Sequence, residues 1–288
     1  MKKLGIIMPV YNTKEEYLRE SIESILNQTY KDFDFFIIND GSTNTDVVET
    51  ILSYQNDKRI KFINNKENRG LISVLNQGLE LCKNYEYIAR MDSDDISIPT
   101  RFEKQIEYLD NNKNVGVLGS WYKMFPENNI MKPAENYKYL DLIKWNPWLC
   151  HPSIMLRNSI LIKHNLSYDY NYKYAEDYEL WARMICITEI HNIQEVLINY
   201  RCDGQNISII KSKEQQEITE VINDNLWSFL TENKMERKNI ESLIGIGTSL
   251  KQYVKIFNFI PILKIINKNN KTYYKLFGFI PLLKVIKK

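Results

Sequence analysis

Three common nucleotide-binding and nucleophile signatures are missing from this chain of 288 residues. No G-x-G-x-x-G follows a candidate strand, no glycine-rich loop ends in Gly-Lys-Ser or Gly-Lys-Thr, and no G-x-S-x-G occurs. These absences argue against a dinucleotide oxidoreductase, a P-loop kinase and an α/β-hydrolase, respectively.

The chain also lacks a long apolar run and a cysteine pair. No uninterrupted apolar stretch approaches the ~20 residues that a membrane-spanning helix needs, and Leu4–Val10 is too short for the core of a signal peptide. The four cysteines are scattered without a C-x-x-C spacing. We therefore expect reduced thiols and neither a zinc site nor a disulfide framework. The expected location is the cytoplasm. Any contact with a membrane is expected at the inner face of the cytoplasmic membrane.

Neither sign of charge dominates, because 38 Lys and Arg offset 36 Asp and Glu, leaving a formal net charge of +2. Such a balance gives no indication of a nucleic-acid partner. Residues 251–288 are the exception, since they contain lysine but no acidic residue. Within them Lys255–Ile266 resembles Lys275–Ile286 in its alternation of aromatic, aliphatic and lysine residues. This composition is typical of a segment that binds an anionic membrane surface; docking of its apolar face on protein is an equal alternative.

Strand-like and helix-like segments alternate through the first hundred residues. Apolar segments at Leu4–Val10, Phe33–Ile38, Ile60–Ile63 and Glu86–Met91 predict strands, and amphipathic segments between them predict helices. Thr13 and Glu16 have the spacing of a capping box for the first helix. This alternation predicts a mostly parallel sheet flanked by helices, whose ligands bind at the carboxyl ends of the strands.

The rest of the chain follows a less regular pattern. We predict strands at Val115–Phe125, His151–Arg157 and Val196–Arg201, a helix at Glu176–Ile187, and helical structure from Ile210 onward. The predicted class is α/β, with a catalytic domain over residues 1–210, divided into a nucleotide-binding half (1–98) and an acceptor-binding half (99–210). Residues 211–288 are predicted to form a helical, basic and aromatic extension.

Three polar segments are predicted to meet at one edge of this sheet. Asp92 and Asp94 lie one residue apart in Asp92–Asp95, and hard carboxylate oxygens suit Mg²⁺ or Mn²⁺ completed by substrate phosphates. Tyr11 can stack on a flat base, and Asp40 can accept a hydrogen bond from a base N–H. Each segment alone is more simply explained as a turn or a helix cap, so the indication lies in their convergence.

Residues 1 to about 125 resemble the inverting glycosyltransferase family 2, which has the GT-A fold. The matching segments, in chain order, are Ile7–Asn12, Ser24–Thr29, Ile38–Ser42, Glu67–Gly70 and Ala89–Asp95. The family commonly has Asp at the position of Asn39.

The resemblance implies roles for individual donor-site residues. Tyr11 and Asp40 would hold the uracil of a UDP-sugar, Arg69 would lie near its phosphates, and Asp92 would approach the ribose and the metal. Asp94 would be the direct metal ligand. The remaining residues assigned to donor binding within these motifs are Pro9, Val10, Asn12 and Ser93.

Later segments carry further candidates. Inversion needs a base that deprotonates the attacking hydroxyl, and the resemblance points to Asp177, with Glu176 or Trp181 on the acceptor side. The alternative for this acidic pair is a favourable charge at a helix N-terminus. Trp148 and His151 lie in an aromatic and polar loop that suits sugar recognition, although a core histidine is equally compatible.

Arg201 is a candidate for contact with the donor diphosphate. Asp203 stands where many relatives have His, which puts any role of that His in doubt here. The sequence predicts a Mn²⁺- or Mg²⁺-dependent enzyme that moves a hexose or N-acetylhexosamine from a UDP-sugar to a glycan or lipid-linked glycan of bacterial lipopolysaccharide or capsule. A sugar-phosphate nucleotidyltransferase, or a non-catalytic nucleotide-sugar-binding protein, is the alternative.

Overall fold

The computed structural model describes residues 3–137, 149–204, 210–232, 264–268, 271–275 and 283–285, with side chains up to residue 223. The chain divides into two units. The first comprises residues 1–137 and 148–219, and the second comprises residues 138–147 and 220–288.

The first unit is built on a ten-stranded sheet. Its strands are β1 (Leu4–Val10), β2 (Phe33–Asp40), β3 (Ile60–Asn65), β4 (Tyr87–Arg90), β5 (Ile96–Ser97), β6 (Val115–Phe125), β7 (Ile130–Met131), β8 (Asn136–Tyr137), β9 (Met155–Arg157) and β10 (Glu189–Arg201). The helices are α1 (Glu15–Leu26), α2 (Thr45–Ser53), α3 (Leu71–Leu81), α4 (Arg101–Asn111), α5 (Asn158–Lys163), α6 (Glu176–Met184) and α7 (Ser212–Glu232), the last of which continues into the second unit.

The order of the sheet is β3-β2-β1-β4-β9-β6-β10-β5, with β7 beside β6 and β8 beside β10. Strands β1 to β4 pair in parallel, as do β6 and β10, whereas β9 is antiparallel to both of its neighbours. The carboxyl ends of β2, β1 and β4 therefore lie side by side. This arrangement brings the loops that begin at residues 11, 41 and 91 to one edge, as the sequence predicted.

The core forms on both faces of β1, which is why that strand is apolar throughout. Leu4, Ile6 and Met8 are fully buried. The amphipathic face of α1 packs into the same cluster through Leu18, Ile22 and Ile25. On the other face, α3 crosses β1 closely at Gly78, where a Cβ atom would lie 2.5 Å from Ile7 Cγ2.

Several segments differ from their sequence prediction for local reasons. His151–Ser153 is a 3₁₀ turn, and the strand begins only at Met155, because Pro152 has no N–H to donate to a ladder. Strand β10 begins at Glu189, seven residues earlier than predicted. The capping box was wrong: Lys14 is the N-cap residue of α1, and the Thr13 hydroxyl instead lies 2.6 Å from Ser93 Oγ.

The C-terminal prediction is correct in part. Helix α7 confirms helical structure after residue 210. Farther along, the described residues of the second unit form three antiparallel strands where a helix was predicted, β11 (Lys264–Lys268), β12 (Lys271–Lys275) and β13 (Leu283–Val285). Their β-branched and tyrosine residues favour strand over helix. No helix in the described part of the chain is long and apolar enough to cross a membrane.

Candidate active site

Three aspartates cluster in the turn that follows β4. Oxygen atoms of Asp92, Asp94 and Asp95 all lie within 4.8 Å of one another. The turn begins where β4 stops pairing with β1, so its carboxylates lie at the ligand-binding edge of the sheet. The sequence predicted the grouping of Asp92 and Asp94, and the structure adds Asp95 as a third carboxylate.

A buried arginine holds the first of these carboxylates. Arg90 is the last residue of β4 and is 6 % exposed. Its Nη1 donates to Asp92 Oδ2 at 2.7 Å, and its Nη2 pairs with Asp92 Oδ1, so the contact is bidentate. Among the described residues, Arg90 Nε has no hydrogen-bond partner. The guanidinium fixes the orientation of Asp92 and places a positive charge beneath the acidic turn.

The electrostatics of the turn suit a divalent cation. Burial, followed by the negative charge of Asp92, raises the pKa of Asp94 to about 6. The same causes raise the pKa of Asp95 well above its ordinary value, and its buried Oδ2 accepts no hydrogen bond from the described residues. Carboxylates that repel one another are stabilised in the ionised form by a bound cation. The donor set therefore fits Mg²⁺ or Mn²⁺.

Strand β10 supports the acidic turn through Arg201. Its backbone N–H donates to Asp95 Oδ1 at 2.8 Å, and its Nε donates to the Asp94 carbonyl oxygen at 2.7 Å. The guanidinium carbon lies 3.8 Å from the ring centroid of Tyr17 and 4.5 Å from that of Phe125. These contacts make Arg201 a support of the turn. Its predicted contact with the diphosphate stays a prediction.

Asn12 links the first two loops of this edge. It has a positive φ of 50°, and its Oδ1 accepts from the N–H groups of Thr43 at 2.9 Å and Asn44 at 3.2 Å. Its own N–H donates to Ser42 Oγ at 2.9 Å. The neighbouring Tyr11 is 49 % exposed and is therefore accessible for stacking on a base.

Of the other predicted donor residues in these loops, Val10 belongs to the core, at 1 % exposure. Pro9 precedes it within β1 and is partly exposed. The side chain of Ser93 contacts Thr13. Val10 and Pro9 therefore shape the strand that carries Tyr11, and Ser93 ties the acidic turn to the start of α1.

Asp40 organises a second loop. Its two carboxylate oxygens accept from the N–H groups of Arg69 and Gly70, each at 2.9 Å, and the residue is 3 % exposed. Gly41 follows with φ of 67°, and a Cβ there would lie 2.4 Å from the carbonyl carbon of Glu67. Only glycine therefore lets this loop pack against the end of β2. The Arg69 side chain is exposed at the same edge.

The predicted base lies at the start of α6. Asp177 Oδ1 accepts from the Tyr178 N–H at 2.8 Å, and the side chain is 27 % exposed. Burial raises the pKa of Asp177, while the Tyr178 N–H and the positive charge of Arg90 act in the opposite direction. Its neighbour Glu176 is more deeply buried, which together with the charge of Asp177 raises the pKa of Glu176 to about 7. Arg90 is thus electrostatically coupled to Asp92 and to Asp177.

His151 lies beside the predicted base. Its Nδ1 is 3.9 Å from Asp177 Oδ2, and its Nε2 is 2.9 Å from the Tyr168 hydroxyl. The ring also meets Trp181 edge-on, with centroids 6.0 Å apart. The Trp181 indole N–H is buried without an acceptor among the described residues. The structure therefore brings His151, Trp181 and Asp177 together.

The predicted site residues and those that the structure describes do not fully coincide. Trp148 and most of the basic and aromatic tail, which the sequence singled out, lie outside the described residues. Sequence reasoning missed Arg90, Asp95 and Tyr168 as parts of the site. Arg90 carried a usable signal, since an arginine inside an otherwise apolar strand is rarely buried without a charged partner. Tyr168 carried none, because its proximity to His151 arises only in three dimensions.

The fold and the acidic turn are those of a GT-A glycosyltransferase, and comparisons with known proteins agree. The family model Glycosyl transferase family 2 matches residues 5–168, and the chain belongs to this family. It is 39 % identical over 223 residues to an uncharacterised glycosyltransferase of Methanocaldococcus jannaschii, covering 74 % of this chain and 75 % of that protein. It is 34 % identical over 211 residues to the Escherichia coli O-antigen biosynthesis glycosyltransferase WbnJ, covering 70 % and 81 %.

Solved structures support the fold. Staphylococcus aureus TarS 1–349 in complex with UDP-GlcNAc superposes with a TM-score of 0.66 at 14 % identity, covering 99 % of this chain and 100 % of that chain. The mannosyltransferase PcManGT from Pyrobaculum calidifontis, in complex with GDP-Man and Mn²⁺, gives a TM-score of 0.58 at 12 % identity, covering 86 % and 76 %. At these identities the likeness establishes the GT-A architecture.

Proposed function

We propose that this glycosyltransferase is a metal-dependent, inverting enzyme that transfers a hexose or N-acetylhexosamine from a UDP-sugar to a hydroxyl of an acceptor glycan. The observation that carries the proposal is the cluster of Asp92, Asp94 and Asp95 at the sheet edge, together with the partly exposed carboxylate of Asp177 at the start of α6. The cluster of three aspartates suits a cation that binds a diphosphate, and Asp177 suits proton transfer.

On the donor side, Asp94 and Asp92 are proposed to hold Mn²⁺ or Mg²⁺, with Asp95 as a further carboxylate of the same turn. The ion would neutralise charge on the departing diphosphate. Tyr11 is 49 % exposed, which supports its proposed stacking on the uracil. Asp40, whose two carboxylate oxygens accept from the N–H groups of Arg69 and Gly70, is proposed to contact the same base. The exposed Arg69 side chain is proposed to approach the phosphates. The TarS complex with UDP-GlcNAc and the PcManGT complex with GDP-Man and Mn²⁺ support a nucleotide-sugar donor and a divalent cation as ligands.

On the acceptor side, Asp177 is proposed to accept the proton of the attacking hydroxyl. Its partly exposed carboxylate is reachable, and its raised pKa makes it a better proton acceptor than an ordinary aspartate. The hydroxyl oxygen forms its bond to the anomeric carbon as the bond to the diphosphate oxygen breaks, with inversion at that carbon. Trp148, His151, Glu176 and Trp181 are proposed to shape the acceptor pocket.

The proposed product is a bacterial surface glycan such as lipopolysaccharide or capsule. The similarity to an O-antigen biosynthesis glycosyltransferase supports this choice. A membrane-associated acceptor would also agree with the lysine-rich composition of residues 251–288.

A screen of nucleotide sugars tests the function. The purified protein is incubated with UDP-glucose, UDP-galactose, UDP-GlcNAc, UDP-GalNAc or GDP-mannose in the presence of Mn²⁺, and release of nucleotide is measured with and without EDTA. We expect slow hydrolysis of one or two UDP-sugars that EDTA abolishes. Asp177→Asn should lose hydrolysis but retain UDP binding. Binding of UDP without turnover of any sugar nucleotide by the wild type would favour a non-catalytic binder.

A further inference from the structure

Tyr168 is held beside the predicted base by a pair of hydrogen bonds to α3. The Tyr168 N–H donates to Asn76 Oδ1 at 2.9 Å, and Asn76 Nδ2 donates to the Tyr168 carbonyl oxygen at 2.9 Å. Both backbone groups of the tyrosine are therefore satisfied by one side chain. The phenol is buried, and its hydroxyl lies 2.9 Å from His151 Nε2. This anchoring gives Tyr168 a fixed orientation towards the histidine.

The contact with Tyr168 favours one tautomer of His151. Burial and the charge of Arg90 hold the pKa of His151 well below its usual range, so the imidazole is neutral. Burial also raises the pKa of Tyr168, so its hydroxyl keeps its hydrogen. Among the described residues, His151 Nε2 is the acceptor within reach of that hydrogen. A neutral imidazole that accepts at Nε2 carries its own proton on Nδ1.

The Nδ1–H of His151 then faces Asp177. The separation of 3.9 Å between Nδ1 and Asp177 Oδ2 is too long for a direct hydrogen bond. An oxygen atom at about 2.8 Å from each atom fits between them, with roughly a right angle between the two hydrogen bonds. A hydroxyl placed there accepts from His151 and donates to Asp177. Its second lone pair remains available for attack on an electrophile.

We propose that His151 is a catalytic residue that orients the attacking hydroxyl by donating to its oxygen, and that Tyr168 is a positioning residue that fixes the His151 tautomer. This inference rests on the proposed function, and it assigns the acceptor oxygen to the gap between His151 and Asp177. In the reaction, the hydroxyl proton passes to Asp177 Oδ2. The lone pair of the oxygen forms the new bond at the anomeric carbon, and the electrons of the broken bond leave with the diphosphate. His151 keeps its proton throughout.

Substitutions at His151 distinguish the position of its hydrogen-bond donor from the packing of its ring. The side-chain amide nitrogen of Asn can occupy the place of the imidazole Nδ1, whereas that of Gln reaches the place of Nε2. We therefore expect His151→Asn to keep the rate of UDP-sugar hydrolysis, in which water is the attacking hydroxyl, within about threefold of wild type. His151→Gln and His151→Leu should lower kcat at least tenfold, in line with general acid–base effects. In all three variants the KM for the donor and the Kd for UDP with Mn²⁺ should stay within about twofold.

Tyr168→Phe tests the tautomer assignment without removing the ring. It should lower kcat about three- to tenfold in the wild-type background, because His151 can then place its proton on Nε2. In the His151→Asn background the same change should have no further effect on kcat, since an amide has no such tautomer. Tyr108→Phe is the matched control. It removes the hydroxyl from a second tyrosine–histidine pair, in which the Tyr108 hydroxyl lies 2.9 Å from Nδ1 of His191. His191 lies near the start of β10, whereas Arg201, which supports the acidic turn, lies at its end. Tyr108→Phe should therefore leave kcat unchanged.

The outcomes distinguish this inference from the proposed function. If the wild type hydrolyses no sugar nucleotide, the proposed function fails, and the inference fails with it. If the wild type is active but His151→Leu retains its kcat, only the inference is overturned. Equal losses of kcat and of UDP affinity in Tyr168→Phe, or additive losses in the double variant, would show that the pair is structural and would also overturn the inference.

Discussion

Arg90 and Asp92 form a bidentate ion pair at the carboxyl end of β4, with Nη1 2.7 Å from Oδ2. The arginine is buried in the sheet, whereas the carboxylate faces the acidic turn. The pair therefore transmits the rigidity of the strand to a proposed donor-binding residue, and the positive charge of Arg90 also acts to lower the pKa of Asp94 and of Asp177.

Removing this guanidinium should weaken the site more than the fold. Arg90→Met leaves Asp92 without its partner, and Arg90→Lys keeps the charge but loses the fork of two parallel donors. We expect kcat/KM for UDP-sugar hydrolysis to fall about 10- to 100-fold in Arg90→Met, the range found for residues that orient metal ligands, and less in Arg90→Lys.

The control for Arg90 is Arg19→Met, which removes an exposed ion pair to Glu15. Water and salt screen such an exposed pair, so hydrolysis should be unchanged. Equal activity of Arg90→Met and Arg19→Met would contradict the role given to Arg90.

Gly41→Ala should damage the donor side selectively. The residue has φ of 67°, which costs an L-residue about 1–2 kcal/mol, and the added Cβ would lie 2.4 Å from the backbone of Glu67. The loop that donates two N–H groups to Asp40 must then shift. We expect a lower melting temperature and weaker binding of UDP, measured by thermal shift and calorimetry.

Gly70→Ala is the matched control for this change. Gly70 has φ of 84° and ψ of 155°, a combination nearly exclusive to glycine, but a Cβ there meets nothing within 4 Å. Gly70→Ala should therefore lower the melting temperature through backbone strain alone, and it should weaken UDP binding less than Gly41→Ala, which also collides with the backbone of Glu67. Indistinguishable variants would mean that the close approach to Glu67 is unimportant.

The pH dependence should report the environment of Asp177. Burial raises its pKa above the ordinary value of 3.8, and a general base acts only when it is deprotonated. Activity should therefore rise with pH along an acidic limb whose midpoint lies above 3.8. Since the charge of Arg90 opposes the rise in pKa, Arg90→Lys should retain this midpoint, and Arg90→Met should move it to higher pH. The measurement is a kcat–pH profile, and a midpoint that moves to lower pH in Arg90→Met would contradict the coupling.

The basic tail has a separate expected role. Removing the residues after Tyr253 should release the protein from vesicles that contain anionic lipid, while hydrolysis of the donor persists. Sedimentation with vesicles measures the release, and neutral vesicles provide the control. Undiminished sedimentation of the truncated chain with anionic vesicles would rule out the tail as the anchor.

The sequence was sufficient for the parallel half of the fold because its signals are local. β1 is a continuous apolar run, and α1 has a clear amphipathic face. Asp92 directly follows a predicted strand, and Asp40 lies two residues beyond the predicted end of another. Strand order then brings those strand ends together. Strand β6 has the predicted bounds, Val115–Phe125.

Features that depend on packing could not be predicted in the same way. Thr13 has the right spacing for a capping box, but its hydroxyl contacts Ser93, 80 positions away in sequence. Arg201 looked like a phosphate ligand, and its packing between Tyr17 and Phe125 follows from the path of β10. The contact of Tyr168 with His151 likewise depends on Asn76 in a distant helix.

The binding of UDP with and without a divalent cation tests the central claim most directly. Calorimetry on the wild type should show binding in Mn²⁺ that weakens at least tenfold in EDTA. Asp94→Asn should bind UDP in Mn²⁺ no better than the wild type does in EDTA. Its melting temperature in EDTA should be no lower than that of the wild type in EDTA. Equal affinity for UDP in Mn²⁺ and in EDTA, with Asp94→Asn indistinguishable from the wild type, would contradict the account.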